Sequence, residues 1–115
     1  ELITFFADKM HRLHQLKVND VLIDVGFGFG KTKDHNFELL QNLSLFQNLE
    51  APILAGISRK SMLYNTLNIS AQEALNATTS ANTIALLNGA NILRVHDVKE
   101  AVEAIKIVAQ VQSRK

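Results

Sequence analysis

Three short apolar runs of the sequence each end in polar side chains of the kinds that bind ligands. These side chains are Asp24 after the first run, Ser58, Arg59 and Lys60 after the second, and Arg94 with His96 at the end of the third. A carboxylate can accept two parallel hydrogen bonds from an amidine-like ligand edge, and cations beside a helix N-terminus can hold an oxyanion or a phosphate. The pattern therefore predicts a ligand site with an acidic part and a cationic part.

We call residues 24–32 the first segment, residues 56–61 the second and residues 94–97 the third. The first two segments each allow two interpretations. Asp24 closes a Val-Leu-Ile run, so its carboxylate is partly desolvated and needs a partner. That partner is either a group within the loop or the amidine-like edge of a ligand. In the second segment, Gly56 lacks a side chain where a flat ligand would approach the backbone, but Ser58, Arg59 and Lys60 alone are more typical of a solvated basic loop.

The third segment favours an anion site more strongly. Arg94 and His96 are two residues apart, so they share one face of a strand. Arg94 interrupts an apolar run, and a cation facing a packed interior is costly unless an anion meets it. His96 alone is typical of a hydrogen-bonded core histidine. The pair just before a helix N-terminus favours an oxyanion or phosphate site.

The spacing of apolar residues predicts alternating helices and strands that carry these segments. We expect helices over 1–16 and 36–48, strands over 21–23, 53–57 and 91–95 or 96, a third helix capped by Ser70 and Glu73 and ended by Gly89, and a last helix capped by Asp97 and Glu100. This α-(βα)3 order makes the strands parallel. Because such a sheet has unpaired edges, it belongs to a doubly wound sheet or a TIM barrel, and both bind ligands at the C-terminal ends of their strands.

Composition and motif spacing exclude several classes of function. The chain has 115 residues, 47% of them hydrophobic, a net charge of +1 and no cysteine, which excludes a disordered tail, a disulfide framework and a thiolate zinc site. Near-neutrality argues against nucleic-acid binding, and no apolar run is long enough to span a membrane. Gly30-Lys31-Thr32 matches the end of a phosphate-binding loop, but Val25 stands where such a loop needs glycine, and four residues are expected between Lys31 and the next helix.

Together the three segments resemble the dihydropteroate synthase family. Residues 24–31 resemble its D-P-G-F-G-F-G-K loop with Val25 in place of the usual proline, residues 56–61 its G-x-S-R-K-S motif, and residues 94–97 its R-V-H-D motif. The resemblance implies an α/β fold that is the C-terminal portion of a TIM (β/α)8 barrel. Residues 1–115 would be a partial pterin-binding domain with strands six to eight and their helices. Since a full barrel needs about 250 residues, Glu1 is expected to be a cut edge.

The resemblance also implies an activity and a set of roles. The family joins 6-hydroxymethyl-7,8-dihydropterin diphosphate to p-aminobenzoate in folate biosynthesis, and sulfonamides compete for the p-aminobenzoate site. By motif, Asp24, Gly56 and Lys60 would bind the pterin, Phe29 and Ser58 would flank p-aminobenzoate, Arg94 and His96 would bind the diphosphate, and Lys60, Arg94 and His96 would form the catalytic set.

The same resemblance bears on cofactors, partners and location. Mg²⁺ in the family is associated with an upstream asparagine, so no metal ligand is expected in this chain, and His11, His14 and His35 lack carboxylate partners at metal spacing. A cytoplasmic homodimer is expected, and the chain alone is expected to be inactive. Two alternatives stay open: a methyltetrahydrofolate methyltransferase domain, which shares the barrel and the aspartate but needs no diphosphate site, and a non-catalytic barrel paralogue.

Overall fold

A computed structural model describes residues 2–16, 21–28 and 31–114 of the chain. These residues form five α-helices, three short strands and two 3₁₀ segments. In chain order they are α1 (Leu2–Gln15), β1 (Ile23–Asp24), α2 (Lys33–Gln41), a first 3₁₀ segment (Leu43–Leu49), β2 (Ile53–Ala55), α3 (Ser61–Leu67), a second 3₁₀ segment (Ala71–Glu73), α4 (Leu75–Leu87), β3 (Ile92–Leu93) and α5 (Val98–Gln112).

The three strands form one parallel sheet in the order β1-β2-β3. Ile23 pairs with Ile53, and Leu54 pairs with Ile92. Helices lie between successive strands in the chain, so the parallel arrangement predicted from their alternation is confirmed. The strands are only two or three residues long, shorter than expected, and their C-terminal ends lie at one edge of the sheet.

The largest hydrophobic cluster fixes the position of these short strands. Ile23 and Ile53 are buried in it, and Leu40, Leu43 and Phe46 from α2 and the first 3₁₀ segment pack in the same cluster. Full burial of one such side chain contributes about 1.5–3 kcal/mol. This packing, more than the few hydrogen bonds between the strands, holds the strand ends in position.

Helix α2 begins three residues earlier than the sequence predicted. The Thr32 hydroxyl accepts the backbone N–H of His35 at 3.1 Å and caps the helix. The expected connection of four residues after Lys31 is therefore wrong, and the spacing of the glycines remains the argument against a nucleotide loop. The helix also ends earlier, at Gln41, and the chain continues as the first 3₁₀ segment.

Helix α3 was not predicted, and α4 begins later than expected. The capping box of Ser70 and Glu73 is present, but it encloses the second 3₁₀ segment rather than the start of α4. Ser70 donates its backbone N–H to Glu73 at 3.0 Å, and this lowers the pKa of the Glu73 carboxyl. The predicted end of α4 is confirmed, since Gly89 follows the C-cap with a φ of +107°.

Among the residues that the structure describes, no helix has both the length and the apolar character needed to cross a membrane.

Candidate functional site

Asp24, at the end of β1, has partners within the protein for both of its carboxylate oxygens. Oδ1 accepts the backbone N–H of Gly26 at 3.0 Å, and Oδ2 lies 3.1 Å from Nη1 of Arg94. The ion pair is open to solvent, with 54% of the Arg94 side chain and 34% of the Asp24 side chain exposed. Such a pair contributes about 0–1 kcal/mol, so a ligand that offers better donors can displace it.

A buried asparagine, which sequence reasoning missed, holds the loop that follows β1. Asn36 is 4% exposed, and its Oδ1 accepts the backbone N–H of Gly28 at 2.9 Å. Its Nδ2 donates to the carbonyl of Thr32 at 3.0 Å, so one side chain joins both ends of the described part of the loop. Lys31 adds a third link through Nζ, which donates to the carbonyl of Gly26 at 2.8 Å.

Gly56 and Arg94 are in close contact at the ends of β2 and β3. A Cβ atom on Gly56 would lie 2.5 Å from Nη2 of Arg94, so the guanidinium occupies the space that the missing side chain leaves. The sequence predicted that this space would admit a flat ligand, and in the structure the planar guanidinium of Arg94 occupies it. Arg94 is half exposed rather than directed into a packed interior, and the carboxylate of Asp24 is the anion that it contacts.

Ser58 and His96 are joined by two hydrogen bonds. Ser58 Oγ lies 2.7 Å from Nδ1 of the His96 ring, and it accepts the backbone N–H of His96 at 3.2 Å. Ser58 is 5% exposed, whereas His96 is exposed. His96 is therefore an exposed side chain rather than a core histidine, and it is hydrogen-bonded to the hydroxyl of the buried Ser58.

Arg59 and Asp97, the next residue of each loop, form an ion pair with two hydrogen bonds. Arg59 Nε lies 2.9 Å from Oδ2 of Asp97, and Nη2 lies 3.1 Å from Oδ1. The hydrogen bond from Arg59 lowers the pKa of the Asp97 carboxyl below its ordinary 3.8. Asp97 occupies the N-cap position of α5, but its side chain makes no capping hydrogen bond. The predicted capping role is wrong because Arg59 binds both carboxylate oxygens.

These two side-chain pairs follow the register of the sheet beyond its last hydrogen-bonded residues. β2 pairs with β3 at a separation of 38 residues, as in Leu54 with Ile92. The same separation of 38 residues relates Ser58 to His96 and Arg59 to Asp97. Side-chain hydrogen bonds at two successive positions thus join the second segment to the third.

Lys60 connects the second segment to the first. Its Nζ donates to the carbonyl of Phe27 across the end of the sheet. Burial lowers the pKa of the Lys60 ammonium below its ordinary 10.5, and the nearby charge of Arg94 lowers it further, while Asp24 raises it. The ammonium therefore lies in a cationic, partly desolvated environment.

A cavity of about 140 Å³ lies where the second and third segments meet, and Gly56, Ser58, Lys60, Arg94, Val95 and His96 line it. Asp24 adjoins this cavity through its ion pair with Arg94. All the described candidate residues thus lie at one edge of the sheet. Phe29, which the sequence assigned to p-aminobenzoate, lies outside the described residues. Within the described ranges, no group of three or more His, Cys, Asp or Glu side chains is placed to hold a metal ion.

Comparison with known proteins agrees with this arrangement. Residues 1–96 match the family model of the pterin binding enzymes. The chain belongs to the pterin-binding enzyme family. It is 41% identical to the dihydropteroate synthase of Escherichia coli K12 over 117 aligned positions, which include the whole of this chain and 42% of that enzyme. The chain therefore spans less than half the length of this curated relative.

Solved structures of pterin-binding enzymes have the same fold. A Yersinia pestis dihydropteroate synthase in a sulfonamide drug complex matches the whole chain with a TM-score of 0.92 and 41% identity, over 44% of its own length. A Coxiella burnetii dihydropteroate synthase in complex with pteroic acid matches 99% of the chain with a TM-score of 0.93 and 34% identity, over 43% of its length. The resemblance to dihydropteroate synthase and the partial TIM-barrel fold are thereby confirmed.

Proposed function

We propose that the protein containing this chain is a dihydropteroate synthase that joins 6-hydroxymethyl-7,8-dihydropterin diphosphate to p-aminobenzoate, releasing diphosphate. The observation that carries the proposal is the convergence of Asp24, Lys60, Arg94 and His96 at one edge of the sheet. One carboxylate and several cationic or hydrogen-bonding groups match a substrate that has an amidine-like ring edge and an anionic leaving group. The Escherichia coli and Yersinia pestis relatives named above carry the name of this enzyme and align with the whole chain.

The pterin ring would lie against Asp24, Gly56 and Lys60. The Asp24 carboxylate would accept hydrogen bonds from the 2-amino group and the adjacent ring N–H, in place of its contact with Arg94. Gly56 leaves room for a flat group at the end of β2, provided that the guanidinium moves aside or stacks on the ring. Lys60 would donate to the polar atoms of the ring.

The diphosphate would lie against Arg94 and His96, just before the N-terminus of α5. A guanidinium presents a planar set of donors that matches phosphate oxygens, and the first N–H groups of a helix favour an anion. Release from Asp24 when the pterin binds would make Arg94 available to the diphosphate. Binding of the pterin ring to Asp24 would thus free the Arg94 guanidinium to contact the diphosphate of the same substrate.

The reaction would replace a carbon–oxygen bond by a carbon–nitrogen bond at the pterin methylene. The lone pair of the p-aminobenzoate nitrogen forms the new bond, the bond to diphosphate breaks with its electron pair on the leaving oxygen, and the nitrogen loses a proton. Lys60, Arg94 and His96 would act by orienting the substrate and stabilising the leaving anion. No covalent intermediate on the protein is needed, and no side chain is assigned as the general base.

The p-aminobenzoate would lie beside Phe29 and Ser58. A phenyl ring provides an apolar face for an aromatic substrate. Ser58 lines the cavity between the second and third segments, next to the groups proposed for the pterin and the diphosphate. This order of subsites would bring the attacking amine and the leaving group to the same methylene carbon.

The remaining parts of the proposal concern the whole protein. Residues 1–115 would supply strands six to eight of its pterin-binding barrel with their helices. Mg²⁺ would bind through residues other than those described here, which offer no group of ligands for it, so no step is assigned to the metal. The protein would be a cytoplasmic homodimer.

The direct test is the synthesis of 7,8-dihydropteroate by the complete protein that contains this chain, with the pterin diphosphate and p-aminobenzoate as substrates. We expect turnover that sulfonamides inhibit competitively with p-aminobenzoate. Transfer of a methyl group from methyltetrahydrofolate without any synthase activity would refute the proposal and favour the methyltransferase alternative. Pterin binding without either reaction would favour a non-catalytic paralogue.

A further inference from the structure

The hydroxyl of Ser58 makes two hydrogen bonds, and both go to the same residue. Its oxygen lies 3.2 Å from the backbone nitrogen of His96 and 2.7 Å from Nδ1 of the ring. A backbone N–H can only donate, so the hydroxyl oxygen accepts in the first of these bonds. The direction of the second bond depends on which ring nitrogen of His96 carries the proton.

Burial decides that direction. Ser58 is 5% exposed, so few partners are available to its hydroxyl proton. Among the residues that the structure describes, Nδ1 of His96 is the one acceptor within hydrogen-bond distance of this hydroxyl. If Nδ1 carried the proton, the hydroxyl would accept two hydrogen bonds and its own proton would have no acceptor among the described residues. Ser58 therefore donates to Nδ1.

We propose that Ser58 is a positioning residue that holds the neutral ring of His96 as the Nε2–H tautomer. The role rests on the proposed function, in which His96 contacts a diphosphate. A ring nitrogen with a lone pair repels a phosphate oxygen, whereas Nε2–H donates to it. With its tautomer fixed, the imidazole is an anion-binding donor even when it is uncharged.

The neighbouring ion pair supports this role. Arg59 and Asp97 directly follow Ser58 and His96, and their two hydrogen bonds hold the two loops in register. The backbone N–H of Arg59 donates to the buried hydroxyl of Thr78 at 3.0 Å, which ties the second segment to α4. The loops that carry Ser58 and His96 are therefore held together by further hydrogen bonds beside the 2.7 Å contact between Ser58 and the ring.

Nuclear magnetic resonance of the complete protein, labelled with ¹⁵N-histidine, reads the tautomer directly. The His96 signals are assigned by their loss in His96→Gln. At a pH where the ring is neutral, we expect two-bond ¹H–¹⁵N correlations that show a proton on Nε2. Ser58→Ala should give a mixture of tautomers, and Ser58→Thr, which keeps the hydroxyl, should restore the wild-type pattern. A proton on Nδ1 in the wild-type protein would overturn the proposal even if neither variant folds.

Calorimetric titration with inorganic diphosphate separates positioning from a general structural effect. Loss of the fixed donor should weaken diphosphate binding roughly fivefold in Ser58→Ala. In a His96→Gln background the same change should have little effect, because an amide side chain keeps a donor without the serine. Ser80→Ala removes a hydroxyl that bonds within α4 and should change neither measurement.

The proposal fails if Ser58→Ala binds diphosphate as tightly as wild type, if it weakens binding equally in both backgrounds, or if the wild-type protein does not bind diphosphate. Failure of the proposed function has a different signature. The complete protein would then form no dihydropteroate while the Nε2–H tautomer and the diphosphate affinity behaved as expected.

Discussion

Arg59 and Asp97 are joined by two hydrogen bonds, with Nε at 2.9 Å from Oδ2 and Nη2 at 3.1 Å from Oδ1. The remaining guanidinium nitrogen, Nη1, donates to the backbone carbonyls of Ala71 and Gln72, both at 2.8 Å. Arg59 thus links the loop after β2 to the second 3₁₀ segment and to the start of α5. It adopts a φ of +54°, which is unusual for a residue with a side chain and points to a conformation that these contacts maintain.

We expect Arg59→Ala to destabilise the protein more than Asp97→Asn, because only the arginine also binds the two carbonyls. The two changes should couple in a double-mutant cycle of chemical unfolding. The pKa of Asp97 is lowered in the folded state, so its contribution to stability is present above the ordinary 3.8 and is lost as the pH falls through the folded pKa. The difference between wild type and Asp97→Asn should therefore shrink in acid. Additive effects of the two changes would contradict the role assigned to the pair.

Arg94→Ala should weaken binding of the pterin diphosphate far more than binding of the corresponding pterin alcohol. A hydrogen bond to a charged group contributes about 1.5–3 kcal/mol, so we expect a loss of about 10-fold or more for the diphosphate. Isothermal calorimetry with both ligands measures the difference. Arg114→Ala removes an exposed arginine in the terminal turn after α5 and serves as the control. Equal losses for the two ligands would exclude Arg94 from the anion site.

Gly56→Ala should impair substrate binding with little effect on stability. The new Cβ would lie 2.5 Å from Nη2 of Arg94, and the mobile end of that side chain can move away. We expect a free energy of unfolding within about 1 kcal/mol of wild type but a raised KM for the pterin diphosphate.

Gly89→Ala is the matched control for Gly56→Ala and should behave in the opposite way. Its φ of +107° is unfavourable for alanine, and its Cβ would lie 2.6 Å from Nε2 of Gln47. A loss of about 1–2 kcal/mol in stability with an unchanged KM is expected. If Gly56→Ala instead loses stability and keeps its KM, the close approach of Arg94 has no functional role.

Asn36→Ala should loosen the loop after β1. The change leaves the Gly28 N–H without its acceptor, and a buried donor without a partner costs about 1–3 kcal/mol. Because this loop follows Asp24, we also expect weaker binding of the pterin. Urea unfolding and pterin titration measure the two effects. Asn42→Ala, which removes an exposed side chain at the end of the same helix, should leave pterin binding unchanged. An Asn36→Ala protein with wild-type affinity would show that the loop does not depend on this side chain.

Lys60 should make the stability of the protein depend on alkaline pH. Its pKa is lowered from 10.5 in the folded state, so between the folded pKa and 10.5 the unfolded chain binds more protons than the folded one. Stability therefore rises with pH through this window. Lys60→Met should lack that rise, whereas Lys99→Met, which changes an exposed lysine, should keep it. Parallel profiles of unfolding free energy against pH for wild type and Lys60→Met would contradict the assignment.

The parts of the fold that depend on long periodic patterns could be predicted from the sequence. The apolar spacing along α1 and α5 is sustained over several turns, and the parallel sheet follows from the alternation of helices and strands. Helix α3 escaped prediction because it has only seven residues and no side-chain cap. The start of α2 differs from the prediction because the cap at Thr32 precedes the first apolar residue of the helix, from which the periodicity is counted.

Within the site, residue types were easier to predict than pairings. Asp24 and Arg94 were each assigned to a ligand, yet nothing local to either residue indicates their contact, because 70 residues separate them in the chain. Asp97 followed by Glu100 has the pattern of a capping box, and only the folded arrangement brings Arg59 to its carboxylate. Asn36 lies on a helix with no motif around it, so its hydrogen bond to Gly28 has no signal in one sequence.

The constant separation of 38 residues has a consequence for folding. Few backbone hydrogen bonds join strands as short as β2 and β3, so those bonds alone discriminate weakly against a parallel pairing shifted by one residue. Such a shift would separate Ser58 from His96 and Arg59 from Asp97, leaving a buried hydroxyl without partners and two charges apart. The side-chain pairs at the site therefore also stabilise the observed register of β2 and β3 over a shifted one. Correct strand alignment and an intact ligand site depend on the same contacts.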